Sequence, residues 1–451
     1  YDMMSAGAFA GIVLLIMCPY RIYDTGFLYS FTAVFVIAIY QLVKPKMKGK
    51  YYKLKESLSF CIFIQIGMLP LIIYFQYEAP AFSFLANVAA VPLATCAFTL
   101  AFLLIFLPYT VFHEAISWMI QGVLWISRQS YGMLTIGHVP FLWVLLFYFM
   151  TGLWIWKKNG QNRHIRISLA YVIMIILIWI PMARRKSLVF LDVGQGDCCL
   201  IETPKHQKIL IDGGGQKNFD IGKNTLLPYL FNRKILEIDY CIISHFDQDH
   251  CGGILYILEQ IKVKNVIIGK QYEDSTNYHK FKEIVKKQNL NVKIVEAGMR
   301  INIEKNLYFD VLWPDSQKMI SDNAINNNSL VCKLNYNKFS MLFTGDIEEI
   351  AEKEIVSKYE NNTSILKSTI LKTAHHGSKT SSIEKILDVV KPQYAFIGVG
   401  ENNTFGHPSN ITIENLEKRK IKIYRTDKMG EICIKITKKA IIKINTKLNT
   451  S

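Results

Sequence analysis

The sequence predicts two architectures in one chain: a polytopic α-helical membrane domain over residues 1–186, then a layered domain of strands and helices over 187–451. Three observations predict it. Apolar residues make up 51% of the 451 residues, and they concentrate before residue 184 in runs long enough to cross a bilayer. Composition changes at Pro181-Met-Ala-Arg-Arg-Lys186, beyond which short strands rich in Ile, Val and Leu alternate with Gly, Asn and Asp turns. Polar motifs then recur at the ends of those strands, as they do where a site is built on one rim of a sheet.

In the first half, the apolar runs Ala6 to Met17, Leu28 to Val43, Leu58 to Phe75, Ala81 to Leu107, Phe141 to Trp156 and Ile167 to Ile180 read as spans. Phe112 to Ile126 is amphipathic, and a span, a re-entrant segment and an interfacial helix all fit it. Charge supports a membrane reading. Residues 1–186 carry 15 Lys/Arg against 5 Asp/Glu, and the excess lies mainly in two short loops, Lys44 to Lys55 and Lys157 to Arg166. Such loops face the cytoplasm. The net charge of +16 is therefore mostly a topology signal, and the smaller C-terminal excess is no argument for nucleic acid by itself. Nine cysteines, scattered and without a C-x-x-C pair, indicate neither a thiolate zinc site nor a disulfide framework. The chain begins at Tyr1 and enters a span almost at once, so an N-terminally incomplete chain is expected.

In the second half, strands are expected at Leu188 to Val193, Cys198 to Glu202, Lys208 to Ile211, Tyr240 to Ser244, Asn265 to Ile268 and Val292 to Val295. More follow at Tyr308 to Leu312, Leu330 to Asn335, Phe339 to Phe343, Ser368 to Thr373 and Tyr394 to Val399. Helical periodicity marks Ile254 to Ile261, Tyr278 to Gln288, Glu348 to Tyr359, Ile383 to Val390 and Ile411 to Lys418. Ile421 to Ile444 reads as a hairpin turning at Lys428-Met-Gly430.

The densest chemistry is His245-Phe-Asp-Gln-Asp-His250, where His245, Asp247, Asp249 and His250 fall within six residues just past an apolar strand. Carboxylates and neutral imidazoles are what a divalent cation takes as ligands. Phe343-Thr-Gly-Asp346 ends another apolar strand. Asp346 suits a bridging role, since one carboxylate can hold two cations about 3.5–4 Å apart. An N-cap is the ordinary alternative for that residue. Ala374-His375-His376-Gly-Ser378 and Gly406-His407-Pro408 add imidazoles at two further strand ends. Asp212, in a Gly-rich turn, suits the orientation of a ligand loop. Asp192 and Asp197 flank a Gly-x-Gly turn that lacks the helix of a dinucleotide fingerprint.

Taken in order, Asp192-Val-Gly-Gln-Gly-Asp197, Ile211-Asp-Gly-Gly, Ser244-His-x-Asp-x-Asp-His-x-Gly-Gly253, Asn326-Asn-x-Ser-Leu-Val331, Phe-Thr-Gly-Asp346, His375-His-Gly-Ser and Gly-His407-Pro resemble the metallo-β-lactamase-fold hydrolases. The resemblance is to the branch fused to ComEC, the DNA-uptake channel of natural competence, and it covers almost all of 187–436. Gly26-Phe-Leu-Tyr-Ser-Phe-Thr-Ala-Val34, Leu69-Pro70 and Asn87-Val-Ala-Ala-Val-Pro92 are similar to segments of that family's membrane domain. Asp247 stands where many members of the fold carry His, which makes the ligand set richer in oxygen and extends the expected metal from Zn²⁺ to Mn²⁺. The family's N-terminal small β-domain and earlier spans have no counterpart in this sequence.

The resemblance implies an αββα layered domain holding two divalent ions, Mn²⁺ or Zn²⁺. His245 and Asp247 would hold one; Asp249, His250 and His375 would hold or flank the other. Asp346 would bridge, and His376 would be an alternate ligand. Asp249 would orient the attacking water, with His407 and Ser378 binding phosphate or protonating the leaving oxygen. The implied function is DNA internalisation, with degradation of the strand that is not imported. The implied partners are single-stranded DNA, the lipid bilayer and other proteins of the competence machinery. A catalytically silent strand-binding domain and a membrane-tethered hydrolase acting on a non-nucleic substrate are the alternatives. With loops 44–55 and 157–166 inside and one crossing at 167–180, the hydrolase domain is expected outside the cell. That parity requires Phe112 to Ile126 to span.

Overall fold

The computed structural model describes residues 2–44, 48–106, 110–127, 132–156, 187–270, 275–436 and 442–448. The expected span at 167–180, the basic loop 157–166, the composition shift at 181–186 and part of the first basic loop lie outside the described residues. The chain divides into two compact units, Tyr1–Met182 with Phe231–Lys234, and Ala183–Leu230 with Ile235–Ser451.

The first unit is helical: α1 (Met3–Met17), α2 (Thr25–Val43), α3 (Tyr52–Gln76), α4 (Ser83–Leu104), α5 (Thr110–Ser127) and α6 (Phe141–Trp156). Three of these, α2, α3 and α4, are long and apolar enough to cross a membrane; α1 and α6 are shorter apolar helices. The Leu69-Pro70 and Asn87-to-Pro92 segments fall inside α3 and α4. The amphipathic segment forms α5, which leaves Trp118 and Trp125 exposed. Two short strands, β1 (Glu78–Pro80) and β2 (Met133–Thr135), pair antiparallel between the helices. Gln65, midway along α3, ties this entry down. Its amide donates to the Pro80 carbonyl (2.6 Å) and accepts from Phe84 N (2.8 Å) and Ser83 Oγ (2.9 Å), satisfying backbone groups that open the first turn of α4.

The second unit is an αββα sandwich. One sheet has eight strands: β3 (Ser187–Phe190), β4 (Cys199–Glu202), β5 (Lys208–Ile211), β6 (Glu237–Ile243), β7 (Lys262–Gly269), β8 (Val292–Val295), β16 (Ile432–Ile436) and β17 (Ile442–Thr446), ordered β17-β16-β3-β4-β5-β6-β7-β8. The other runs from β9 (Arg300–Glu304) through β10 (Leu307–Trp313), β11 (Val331–Tyr336), β12 (Phe339–Phe343), β13 (Ile370–Lys372) and β14 (Tyr394–Ile397) to β15 (Lys422–Arg425). Alternation decides the layers. Leu188, Phe190, Ile209 and Ile211 face Phe309, Met341, Phe343 and Phe396 between the sheets. Val189, Leu200, Leu210 and Ile243 pack outward on helix Gln248–Gln260 and on helix Thr276–Gln288. Leu342, Leu371 and Ala395 do the same against helices Glu349–Lys358, Glu384–Val390 and Asn410–Lys418.

Three expectations change. The helix expected from Ile254 begins at Gln248, so Asp249 and His250 sit on its first turn rather than on a preceding loop. Strand β9 has no counterpart among the expected strands; its apolar positions, Ile301 and Ile303, are too few to stand out beside Lys and Asn. The C-terminal hairpin is not centred on Lys428 to Gly430. Lys422–Arg425 joins β14 in parallel, and Ile432–Ile436 crosses to the other sheet to pair with β3 and β17. Gly430, at φ +62°, marks a sheet switch, not a hairpin tip.

Candidate metal centre

The polar motifs meet where the strands of both sheets end. Asp212 follows β5, His245 follows β6, Asp346 follows β12, and His375 and His376 follow β13. Two glycines allow the close approach. Gly196 lies against Asp249, whose carbonyl oxygen would stand 2.3 Å from any Cβ there. Gly345, at φ +53°, sits against Ser329 and Ser244.

Three histidines are oriented by one device. His250 Nδ1 donates to Asp212 Oδ2 at 2.9 Å, and His376 Nδ1 donates to the Gly398 carbonyl at 2.7 Å. Ser244 Oγ donates to Asp212 Oδ2 at 2.8 Å and so accepts from His245 Nδ1 at 3.0 Å. Each ring therefore carries its proton on Nδ1 and presents the Nε2 lone pair inward, the arrangement that fixes a metal-binding imidazole. His250 Nε2 and His376 Nε2 stand 3.2 Å apart. Asp346 Oδ1 is 3.0 Å from His250 Nε2, and Asp346 Oδ2 is 3.3 Å from His376 Nε2. Asp249 Oδ2 is 3.2 Å from His376 Nε2. His245 is fully buried, and its Nε2 has no hydrogen-bond partner; Asp346 Oδ1 likewise lacks one of proper geometry.

This donor set fits a divalent cation. Inward lone pairs and carboxylate oxygens crowd one point, and a buried polar atom without a partner is costly unless something positive lies there. Without a cation, protons take its place. Burial opposes charge on His376, yet Asp346 and Asp197 outweigh it and raise the imidazole to about 10. Burial also opposes charge on His250, where Asp346 and Asp212 raise the imidazole well above its usual range. His245, buried and beside His250, drops to about 3 and stays neutral. For Asp249, burial pushes upward but His376 and His250 prevail, holding it at about 2. Asp346 is held well below the carboxylate range by the same pair, against burial.

The other expected residues take different places. Asp247 is partly exposed, 3.9 Å from His245 Nε2. His375 Nε2 lies 3.9 Å from Asp346 while its Nδ1 faces Glu348 at 3.4 Å, so His376, expected as the alternate, is the one pointing into the cluster. Both residues have positive φ, 47° and 53°, a strained turn that aims adjacent side chains at one site. His407 stands at the mouth, ring centroids 5.5 Å from His375 and 6.4 Å from His376, and burial with those two neighbours lowers it to about 4. Ser378 Oγ turns instead to Thr380 Oγ1 at 3.0 Å.

Sequence reasoning missed Lys372. Its ammonium, almost fully buried, meets Asp197 Oδ2 at 2.5 Å and donates to the Thr373 carbonyl at 2.6 Å. Asp197 Oδ1 in turn lies 3.6 Å from His376 Nδ1. A lone Lys inside the apolar run before His375 was the available signal. Ser329, whose Oγ accepts from Asp346 N at 3.2 Å, was visible only through its motif.

Two family models match the chain: "Competence protein" over residues 1–161 and "Metallo-beta-lactamase superfamily" over residues 191–323. The chain is 28% identical to ComE operon protein 3 of Bacillus subtilis, across 93% of this chain and 56% of that protein. It is 29% identical to competence protein ComA of Neisseria gonorrhoeae, across 53% of this chain and 31% of that protein. The chain thus spans about half the length, or less, of these relatives. Among solved structures, a metallo-β-lactamase from Thermotoga maritima is similar at 13% identity and TM-score 0.29, over 42% of this chain and 95% of that one.

Proposed function

The chain belongs to the ComEC family of competence proteins, and from that membership we propose that it is a DNA-internalising membrane protein whose second domain is a metal-dependent phosphodiesterase. We take 1–186 as the membrane domain and 187–451 as the hydrolase domain, which degrades the strand that is not imported. One observation carries the enzymatic reading. His245, His250 and His376 all have Nδ1 tied back; the Nε2 atoms of His250 and His376 meet the carboxylates of Asp346 and Asp249, and the buried Nε2 of His245 is left without a partner.

In this reading His250, His376, Asp249 and Asp346 would hold one cation. His245 and Asp247, together with Asp346, would hold a second. The oxygen-rich second set suits Mn²⁺ as well as Zn²⁺. Bound divalent ions supply Lewis acidity that acidifies water and neutralises phosphoryl oxygens. The chain's own residues do the rest. Asp249 would orient the attacking water. His407, kept neutral at the mouth, contacts the phosphate and takes its place beside the leaving oxygen. Asp212 and Gly398 hold the ring orientations. The hydrolase domain lies outside the cell, with the basic loops 44–55 and 157–166 inside.

The test uses the whole chain in detergent or nanodiscs with single-stranded DNA and Mn²⁺ or Zn²⁺. Metal-dependent cleavage that weakens steeply with salt is expected, because phosphate contacts dominate positioning. Binding without cleavage would assign a silent strand-binding domain. Hydrolysis of small esters without action on DNA would assign a non-nucleic substrate.

A further inference from the structure

Beside the metal cluster, the loop after β14 carries a large apolar side chain into water. Phe405 is 67% exposed. Single exposed apolar residues are ordinary on protein surfaces. This one is set apart by what lies beneath it. Its ring stacks on His407, centroids 5.9 Å apart and planes 27° from parallel. His407 stacks in turn on His376, at 6.4 Å and 27°. The three rings form a stepped series from the buried cluster, through the half-buried mouth, to solvent. Its outermost ring is not covered by any described part of its own unit.

Hydrogen bonds within the loop hold the backbone of His407, the residue on whose ring Phe405 stacks. Asn403 Nδ2 donates to the carbonyls of Gly400 (3.1 Å) and His407 (2.7 Å), and Asn403 Oδ1 accepts from His407 N at 3.0 Å. Stacked on the ring of a residue whose backbone is held, Phe405 gives up less conformational freedom when something stacks on its outer face than a free side chain would. Every nucleobase offers a flat π-face, and stacking on an aromatic side chain is tolerant of sequence. In a duplex those faces are covered by neighbouring base pairs, while a single strand leaves them open.

We propose that Phe405 is the platform for a nucleobase of the substrate, a base-stacking subsite that sits next to the phosphate-cleaving cluster and selects single strands. The proposal rests on the phosphodiesterase reading for its place in catalysis, but its binding claim is tested separately.

The whole chain in nanodiscs, stripped of divalent ions with EDTA, is titrated with fluorescent oligothymidine and with an abasic strand of equal length. The wild type is expected to bind the base-bearing strand about ten-fold more tightly than the abasic one. Phe405→Ala and Phe405→Leu should lose most of that preference, and Phe405→Trp should keep it. Leucine retains apolar area without an aromatic face, so loss in Phe405→Leu separates stacking from general hydrophobic contact. A wild type that does not distinguish the two strands, or that binds neither, overturns the proposal, as does a Phe405→Leu protein indistinguishable from wild type. Cleavage with Mn²⁺ restored is then measured on the same proteins. A preference that depends on Phe405, without any cleavage, refutes the phosphodiesterase reading and leaves the stacking subsite standing. Cleavage by the wild type with an unchanged KM in Phe405→Ala overturns the subsite alone.

Discussion

Asp346 and Asp197 are both buried carboxylates beside His376, and the chain satisfies them in opposite ways. Asp197 has a resident cation: Lys372 reaches it from the facing sheet at 2.5 Å. Asp346 has no ammonium; it is met by the Nε2 atoms of His250 and His376, whose Nδ1 protons are committed elsewhere and which take a second proton only while no cation is bound. Asp197, His250, Asp346 and His376 offer donors within 4.8 Å of one another, so spacing alone does not separate the two acids. Charge accounting does. A buried carboxylate needs a positive partner. Where the fold supplies an ammonium, no ion is called for; where it supplies inward lone pairs, one is. The proposed division follows: Asp346 as the metal ligand, and Asp197 as a strut between the sheets behind it.

The largest effect should come from Asp346. Asp346→Ala removes the proposed shared ligand, and elemental analysis of the whole protein after metal loading should show most bound divalent ion gone, with DNA cleavage down by more than about 100-fold. Retention of two ions would move the centre elsewhere. Next comes Lys372. Lys372→Met leaves Asp197 buried and unpaired, which costs on the order of 3–5 kcal/mol and should lower the melting temperature of the hydrolase domain by several degrees. Replacing both partners, Asp197→Leu with Lys372→Met, should recover most of that loss, since an apolar pair substitutes for a buried ion pair. If the double variant is as unstable as the single one, or if it loses metal as Asp346→Ala does, the proposed division between strut and ligand fails.

The sequence told these two acids apart only in part. Asp346 stood out because Phe-Thr-Gly-Asp follows an apolar strand, and the helical reading of residues past His245 came from apolar spacing. Yet Gln248, Asp249 and His250 are polar, so periodicity dated that helix six residues late. His375 and His376 were legible as a pair, but which ring turns inward depends on positive φ at both, and a sequence of two identical residues carries no sign of that. Lys372 lies among apolar neighbours in the expected strand Ser368 to Thr373; its role appears only when β13 is placed opposite Asp197. The C-terminal strands were found by composition, but their assignment to different sheets is a long-range fact that local pattern does not hold. In the membrane half, length and hydropathy marked the helices, while the tie from Gln65 to the start of α4 joins residues far apart in the chain.

A third buried acid extends the comparison, with neither metal nor ammonium. Glu352 is 2% exposed in helix Glu349–Lys358, and its carboxyl accepts from Ser382 N (2.7 Å) and Ile383 N (2.9 Å), capping helix Glu384–Val390. Burial raises it from 4.5 to about 7, although those two amides pull the other way. Here the proton is the neutralising cation. A raised carboxyl binds its proton more tightly folded than unfolded, so its contribution is complete below about pH 4.5 and is lost as pH rises through about 7, up to roughly 3 kcal/mol in all. The consequence is local, because the carboxyl pins the loop that follows His376. Amide exchange in residues 378–390, corrected for intrinsic rates, should be slower at pH 5.5 than at pH 8. Glu352→Gln, which keeps one acceptor oxygen and cannot ionise, should flatten that difference. Equal protection at both pH values in the wild type would mean that backbone donors alone satisfy a buried carboxylate, and the three-way contrast would reduce to the two acids at the metal cluster.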